Sequence, residues 1–164
     1  LTEDPVVFQY VRSYIPQIEI IREGGRYKLS DTVSFETPLR HQHPSETYCI
    51  NFLTQNYTIS LIVDTRYFPE LLKHYTGEFL IINVVRYTVD KEMKSWLYHL
   101  SVADVKEIVK TLKPKVTILN HFGMTMIKAQ PRVVAERLSQ ETGLKIIAAG
   151  DGMKFSFADM KNEE

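Results

Sequence analysis

A β-branched run, Val116-Thr117-Ile118-Leu119, stops at Asn120-His121-Phe122-Gly123, which puts an imidazole at the carboxyl end of a buried strand. Strand ends of this kind fix a side chain's direction and are where α/β proteins place their sites. Gly123 lets the chain turn close to whatever His121 holds. Leu61-Ile62-Val63 ends likewise in Asp64-Thr65, a carboxylate at a strand terminus. His41 and His43 stand in a loop between two strand-like runs, and His99 lies just ahead of a helix-capping serine, Ser101. Neutral imidazoles and carboxylates are the donors that hold divalent transition metals, and a histidine also moves protons at neutral pH.

Each of these residues has a plainer structural reading. His43 could simply be solvated in its loop, and His41 reads as a surface histidine. Asp64 could cap a helix beginning near Tyr67, while His99 could be a hydrogen-bonded structural residue. His74, after Leu71-Leu72, suits a helix C-terminus. Arg66, Tyr67 and Arg86 follow strand ends and could face an anionic substrate, with surface pairing as the default. Lys110, Lys113 and Lys115 read as one solvated helix face.

Composition allows one compact domain. With 164 residues and 44% hydrophobic content, such a chain buries about two-thirds of its unfolded surface. Twenty basic and twenty acidic residues cancel, which argues against bulk electrostatic capture of nucleic acid; a polyanionic substrate must be met by a local site. The single cysteine, Cys49, excludes an intramolecular disulfide. It reads as a small buried hydrophobe, and a reducing, cytoplasmic compartment is the simpler assumption. No apolar run approaches the roughly 18 residues of a membrane span, and no signal peptide is visible. The sequence opens on Leu1 rather than methionine, so an upstream segment is expected to have been lost through processing, proteolysis or truncation.

The elements that must position these side chains are β-rich at first and then alternate. Val33 to Thr37 and Tyr57 to Leu61 alternate with period two, as half-buried strands do. Gly24-Gly25, between Ile20-Ile21 and Tyr27, predicts a hairpin turn. Leu80 to Val85 is a continuous apolar run suited to a strand covered on both faces. Val102, Val105, Ile108, Val109 and Leu112 have helical spacing over 101–112, with Ser101 as N-cap and Asp104 as its capping-box partner. Pro131 starts a further helix and Gly143 ends it. Two short strands, Lys145 to Ala148 and Met153 to Phe157, are predicted around a turn at Asp151-Gly152.

In this order the elements resemble the second half of the metallo-β-lactamase fold, an αβ/βα sandwich. His43-Pro44-Ser45-Glu46-Thr47-Tyr48 resembles the loop carrying that superfamily's third metal-binding motif, especially in the tRNase Z branch. Asp64-Thr65 matches the strand-end aspartate that bridges two metals. His99-Leu100-Ser101 resembles the histidine and following Ser/Thr that tRNase Z-like members place beside the metals, and His121-Phe122-Gly123 resembles the final ligand motif. The tail from Gly143 through Gly152-Met153 is similar to the closing strands of uncharacterised prokaryotic members. The likeness covers most of the chain. It departs at Cys49, where tRNase Z-like members commonly carry glycine, and at Asn120, commonly threonine.

The resemblance implies a metal-dependent hydrolase acting on a phosphodiester or related small anionic ester. His43, Asp64 and His121 would ligate metal, with His99 as proton donor or orienting group. Two cations sharing a hydroxide lower its pKa toward neutrality, so no side-chain nucleophile is required. Zinc is the first expectation, with iron or manganese also suited to the donors. The superfamily's HxHxDH signature is absent, and no histidine precedes His41. Residues 1–164 are therefore expected to be a single partial domain that cannot close a dinuclear site unaided. The completing N-terminal half would be a separate chain or a cleaved fragment, with a homo-oligomer also possible and nucleic acid met only as substrate. Two rival readings are a non-catalytic half-domain that binds a partner, and an iron-containing redox member of the same fold.

Overall fold

The computed structural model describes residues 14–15, 18–88, 98–157 and 159. Among these residues seven strands form one sheet in sequence order: β1 (Gly25–Lys28), β2 (Val33–Thr37), β3 (Ile50–Thr54), β4 (Thr58–Ile62), β5 (Phe79–Asn83), β6 (Val116–Asn120) and β7 (Lys145–Ala148). The first three pairings are antiparallel and the last three parallel. This mixed sheet with helices is the expected α/β class.

Helix α1 (Val102–Leu112) starts where Ser101 and Asp104 cap each other's backbone amides, and it ends at Lys113, whose φ of 49° is left-handed, just before Pro114. Helix α2 (Met124–Lys128) follows β6 directly. Helix α3 (Pro131–Thr142) opens on proline and closes on Gly143 at φ 72°, where the Gly143 amide donates to the Ser139 carbonyl. A 3₁₀ turn, Pro69–Lys73, joins β4 to β5, and His74 is its C-cap as the sequence suggests.

The buried stripe Val102, Val105, Ile108 and Val109 of α1 packs with Leu138 of α3 against Ile62, Leu80, Ile82, Val84, Leu119 and Ile146 on one face of the sheet. Each such side chain contributes about 1.5–3 kcal/mol when fully buried. The opposite face carries Phe79, Val116 and Ile118, with Tyr57, Ile59, Ile81, Phe155 and Phe157 against them. β5 thus sends side chains into apolar clusters on both faces, as its unbroken apolar run requires.

Three sequence expectations are corrected. Met153–Phe157 is not a strand; Phe155 and Phe157 instead pack over the sheet, Phe157 lying 4.9 Å from Phe79 between ring centroids. Gly24 does turn the chain, with φ 74°, but into the start of β1. The hairpin turn is Leu29–Thr32, closed by the Leu29 and Ser30 amides on the Val33 carbonyl. Of the three lysines, only Lys110 lies on the helix: Lys113 is its left-handed cap and Lys115 pairs with Glu78 ahead of β6.

Candidate metal centre

All the chemistry-bearing side chains come from one edge of the sheet. β4, β5 and β6 are parallel, with Ile62, Ile82 and Leu119 in register. Two residues beyond that row stand Asp64, Val84 and His121. β3 runs antiparallel to β4, so the β2–β3 loop carrying His43 arrives at this same edge. His99 joins it because Arg86, beyond β5, bridges to Ser101.

The β2–β3 loop is tied down over Asp64. The Thr47 hydroxyl donates to the Asp64 carbonyl at 2.8 Å, the Gln42 amide donates to the Thr65 hydroxyl at 3.2 Å, and the Arg66 amide donates to the Gln42 carbonyl at 3.2 Å. Ser45 steadies the His43 ring by donating its amide to Nδ1 at 3.2 Å. His121 takes φ 54°, a left-handed conformation that costs a non-glycine residue on the order of 1 kcal/mol and points to a side-chain direction worth holding. Two residues on, Gly123 passes so close to Val85 that a β-carbon would lie 2.5 Å from the Val85 carbonyl oxygen. The glycine is needed for approach to the chain beyond β5, rather than to a ligand.

Three groups converge on one oxygen. Asp64 Oδ1 accepts from Asn83 Nδ2 at 3.0 Å and faces His121 Nε2 at 3.2 Å and His99 Nδ1 at 3.4 Å. Ligand atoms of His43, Asp64 and His99 all lie within 4.8 Å of one another. The His43 and His99 ring centroids are 5.2 Å apart, and those of His99 and His121 are 5.9 Å apart. His99 Nδ1 is buried and makes no hydrogen bond despite facing a carboxylate. This close set of imidazole nitrogens and carboxylate oxygen fits a divalent metal. Burial lowers the His99 pKa, and His43, His121 and Arg86 push it the same way against the pull of Asp64. The ring is therefore held neutral, as a metal ligand or neutral hydrogen-bonding group must be.

The four residues that sequence reasoning singled out are thus brought together, with His121 joined to the group through Asp64. Asp64 caps no helix, since the 3₁₀ turn begins at Pro69 after an N-cap, Phe68, that makes no side-chain cap. His41 is not a surface histidine: it is 4% exposed, and its Nε2 meets the Tyr75 hydroxyl at 2.6 Å. Burial lowers its pKa to about 4. Cys49 is fully buried, with its thiol pushed up to about 12 by burial, in keeping with an inert core residue. Asn83 was missed, although a polar residue closing an apolar strand at the site's edge is a signal.

No protein-family model matches the chain. The architecture is the metallo-β-lactamase fold, shared with solved hydrolases. An uncharacterized protein of Methanocaldococcus jannaschii is 30% identical over 161 residues, covering 95% of this chain and 57% of that protein. The metallo-β-lactamase fold protein YhfI of Bacillus subtilis superposes with a TM-score of 0.67 at 14% identity, over 81% of this chain and 53% of its own. A diphosphatase of the PhnP family gives 0.61 at 19% identity, over 91% and 53%. Human tRNase Z, short form, gives 0.53 at 13% identity, over 77% and 44%. The chain spans little more than half the length of the first two proteins and less than half of the last. Among the described residues, no helix is long and apolar enough to cross a membrane.

Proposed function

We propose that this chain supplies one half of the active site of a divalent-metal-dependent hydrolase acting on a phosphodiester or related small anionic ester. The observation that carries the reading is the convergence of two imidazoles on Asp64 Oδ1, with His43 beside them. A bound metal supplies a water acidified toward neutral pH and positive charge for the oxygens of the ester. Zinc suits the nitrogen and carboxylate donors best, while iron and manganese also fit.

In this reading His43, Asp64 and His121 hold the metal, and Asn83 fixes the Asp64 carboxylate by donating to the oxygen the histidines face. His99, whose ring burial biases toward the neutral form, orients the ester, or takes a proton from the attacking water and passes it on to the departing oxygen. Among the described residues the ligand atoms grouped tightly enough for one ion are those of His43, Asp64 and His99, and His121 would join them through the Asp64 oxygen it faces. A second metal needs donors beyond this set. The N-terminal half of the fold would supply them, as the greater length of the similar proteins allows, and the assembly works in the cytoplasm.

The test is to purify the chain with whatever copurifies, measure its metal content, and assay bis(p-nitrophenyl) phosphate before and after chelation. At least one metal per chain and chelator-sensitive hydrolysis are expected. Absence of both in the assembled protein overturns the reading and leaves a partner-binding half-domain. An excess of iron over zinc in protein from the native host, without hydrolysis, favours redox chemistry.

A further inference from the structure

Beside His99 a cleft of about 720 Å³ opens, walled by Gln42, Arg66, Tyr67, Phe68 and Tyr87. That volume is in the range of small-molecule sites. Arg66 is exposed, yet it is held in place. Its Nε donates to Gln42 Oε1 at 2.6 Å, and its guanidinium carbon lies 5.9 Å from the centroid of the Tyr98 ring. The same Tyr98 ring meets His43 edge-on, with 6.2 Å between centroids. Arg66 is therefore one aromatic ring away from the metal donors.

Among the described residues no carboxylate pairs with Arg66. With Nε committed to Gln42, its terminal NH₂ groups are free to form a fork for an anion. Asp104, the acidic residue lining the cleft, is engaged by the Ser101 amide and hydroxyl at 2.8 and 2.7 Å. A chain with no net charge has no bulk field to attract a polyanion, so a placed cation decides the matter locally.

We infer that this cleft recognises a second negative charge on the substrate, set beside a planar ring, so that the substrate is a short nucleotide-like phosphodiester bearing an additional phosphate. The inference rests on the hydrolase reading above. The scissile diester lies at Asp64 and its histidines, the second phosphate meets Arg66, and the ring packs among the aromatic walls. In the reaction water's oxygen bonds to phosphorus, one ester P–O bond breaks, and the departing oxygen takes a proton. The products are a phosphomonoester and an alcohol, with the second phosphate untouched.

The experiment uses the assembled, metal-containing protein and compares the thymidine dinucleotide TpT with its 5′-phosphorylated form. The 5′-phosphate should raise kcat/KM by about 10-fold or more, the scale of a charge-assisted hydrogen bond. In Arg66→Gln that ratio should fall toward one at unchanged metal content, and Arg66→Lys should keep part of it. Independently, calorimetry on metal-stripped protein should show thymidine 5′-monophosphate binding that Arg66→Gln weakens by about 10-fold, with thymidine binding more weakly. A ratio near one in the native protein, or one that survives Arg66→Gln, overturns the inference while bis(p-nitrophenyl) phosphate hydrolysis leaves the hydrolase reading intact. If nothing is hydrolysed, the hydrolase reading falls. Arg66-dependent binding of the nucleotide then still supports the anion site, and its absence overturns it.

Discussion

His121 Nε2 lies 3.2 Å from Asp64 Oδ1 although the two residues extend strands that are not neighbours. β5 runs between them and stops short at Asn83, which donates to the same oxygen. Asp64 and His121 are level in register, and His121 takes a left-handed backbone where its ring nitrogen reaches the Asp64 oxygen. The sheet thus sets the spacing, and one strained residue sets the direction.

Variants at the imidazoles should separate ligand from proton carrier. His121→Ala and Asp64→Ala are expected to lose metal. His99→Ala is expected to keep nearly all of it while slowing turnover of substrates with poor leaving groups by roughly 10²–10⁴-fold, the usual contribution of a general acid. Metal analysis beside a leaving-group series gives the answer. Because His99 Nδ1 sits 3.4 Å from the carboxylate, metal loss in His99→Ala would make it a ligand instead, and unchanged turnover would make it structural.

Gly123→Ala should loosen the site from behind. The backbone there has φ −79°, which any residue adopts, so the cost comes from contact: the new carbon would stand 2.5 Å from the Val85 carbonyl and 2.8 Å from its side chain. Overpacking of this kind costs about 1–3 kcal/mol. Displacement of the 121–123 turn should weaken metal binding with the rest of the fold intact. Urea unfolding and metal titration on the same sample measure both effects, and an Ala variant equal to the native protein in both would refute the close approach.

Most of the strands and the two long helices were legible because their signals are local. Alternation marks Val33–Thr37, the capping box marks Val102–Leu112, and Pro131 with Gly143 brackets the last long helix. β3 has no such signal, because its Asn51 is buried at 2% exposure between half-exposed apolar neighbours. That asparagine is satisfied by the Ser60 hydroxyl and the His74 carbonyl, each at 2.7 Å, partners 9 and 23 residues away that no local pattern reveals. The tail misled in the opposite sense. Phe155 and Phe157 alternate like a strand but serve as cover for the apolar cluster around Phe79, with the Phe157 ring tilted against Phe79 and Tyr57. At the site, residue types and strand ends pointed to Asp64 and His121, while the resemblance to the metallo-β-lactamase fold added His43 and His99. The burial of His41 was invisible because it depends on Tyr75, 34 residues on.

His41 should make the fold acid-sensitive in a defined window. Its folded pKa is about 4 against an ordinary 6.5, chiefly through burial, with the Asp64 backbone carbonyl pulling the other way. The unfolded chain therefore takes up a proton between pH 6.5 and 4 that the folded chain refuses. This contribution to stability is fully present above pH 6.5, declines as pH falls toward 4, and is flat below. Its full size is about 3 kcal/mol. His41→Gln removes the titrating group while leaving a side chain able to bond the Tyr75 hydroxyl. Urea unfolding of metal-stripped protein from pH 7.5 to 4.5 should then show a shallower loss of stability in the variant than in the native chain. Parallel pH profiles would mean that His41 titrates in the folded state as it does in water, and that its burial carries no such penalty.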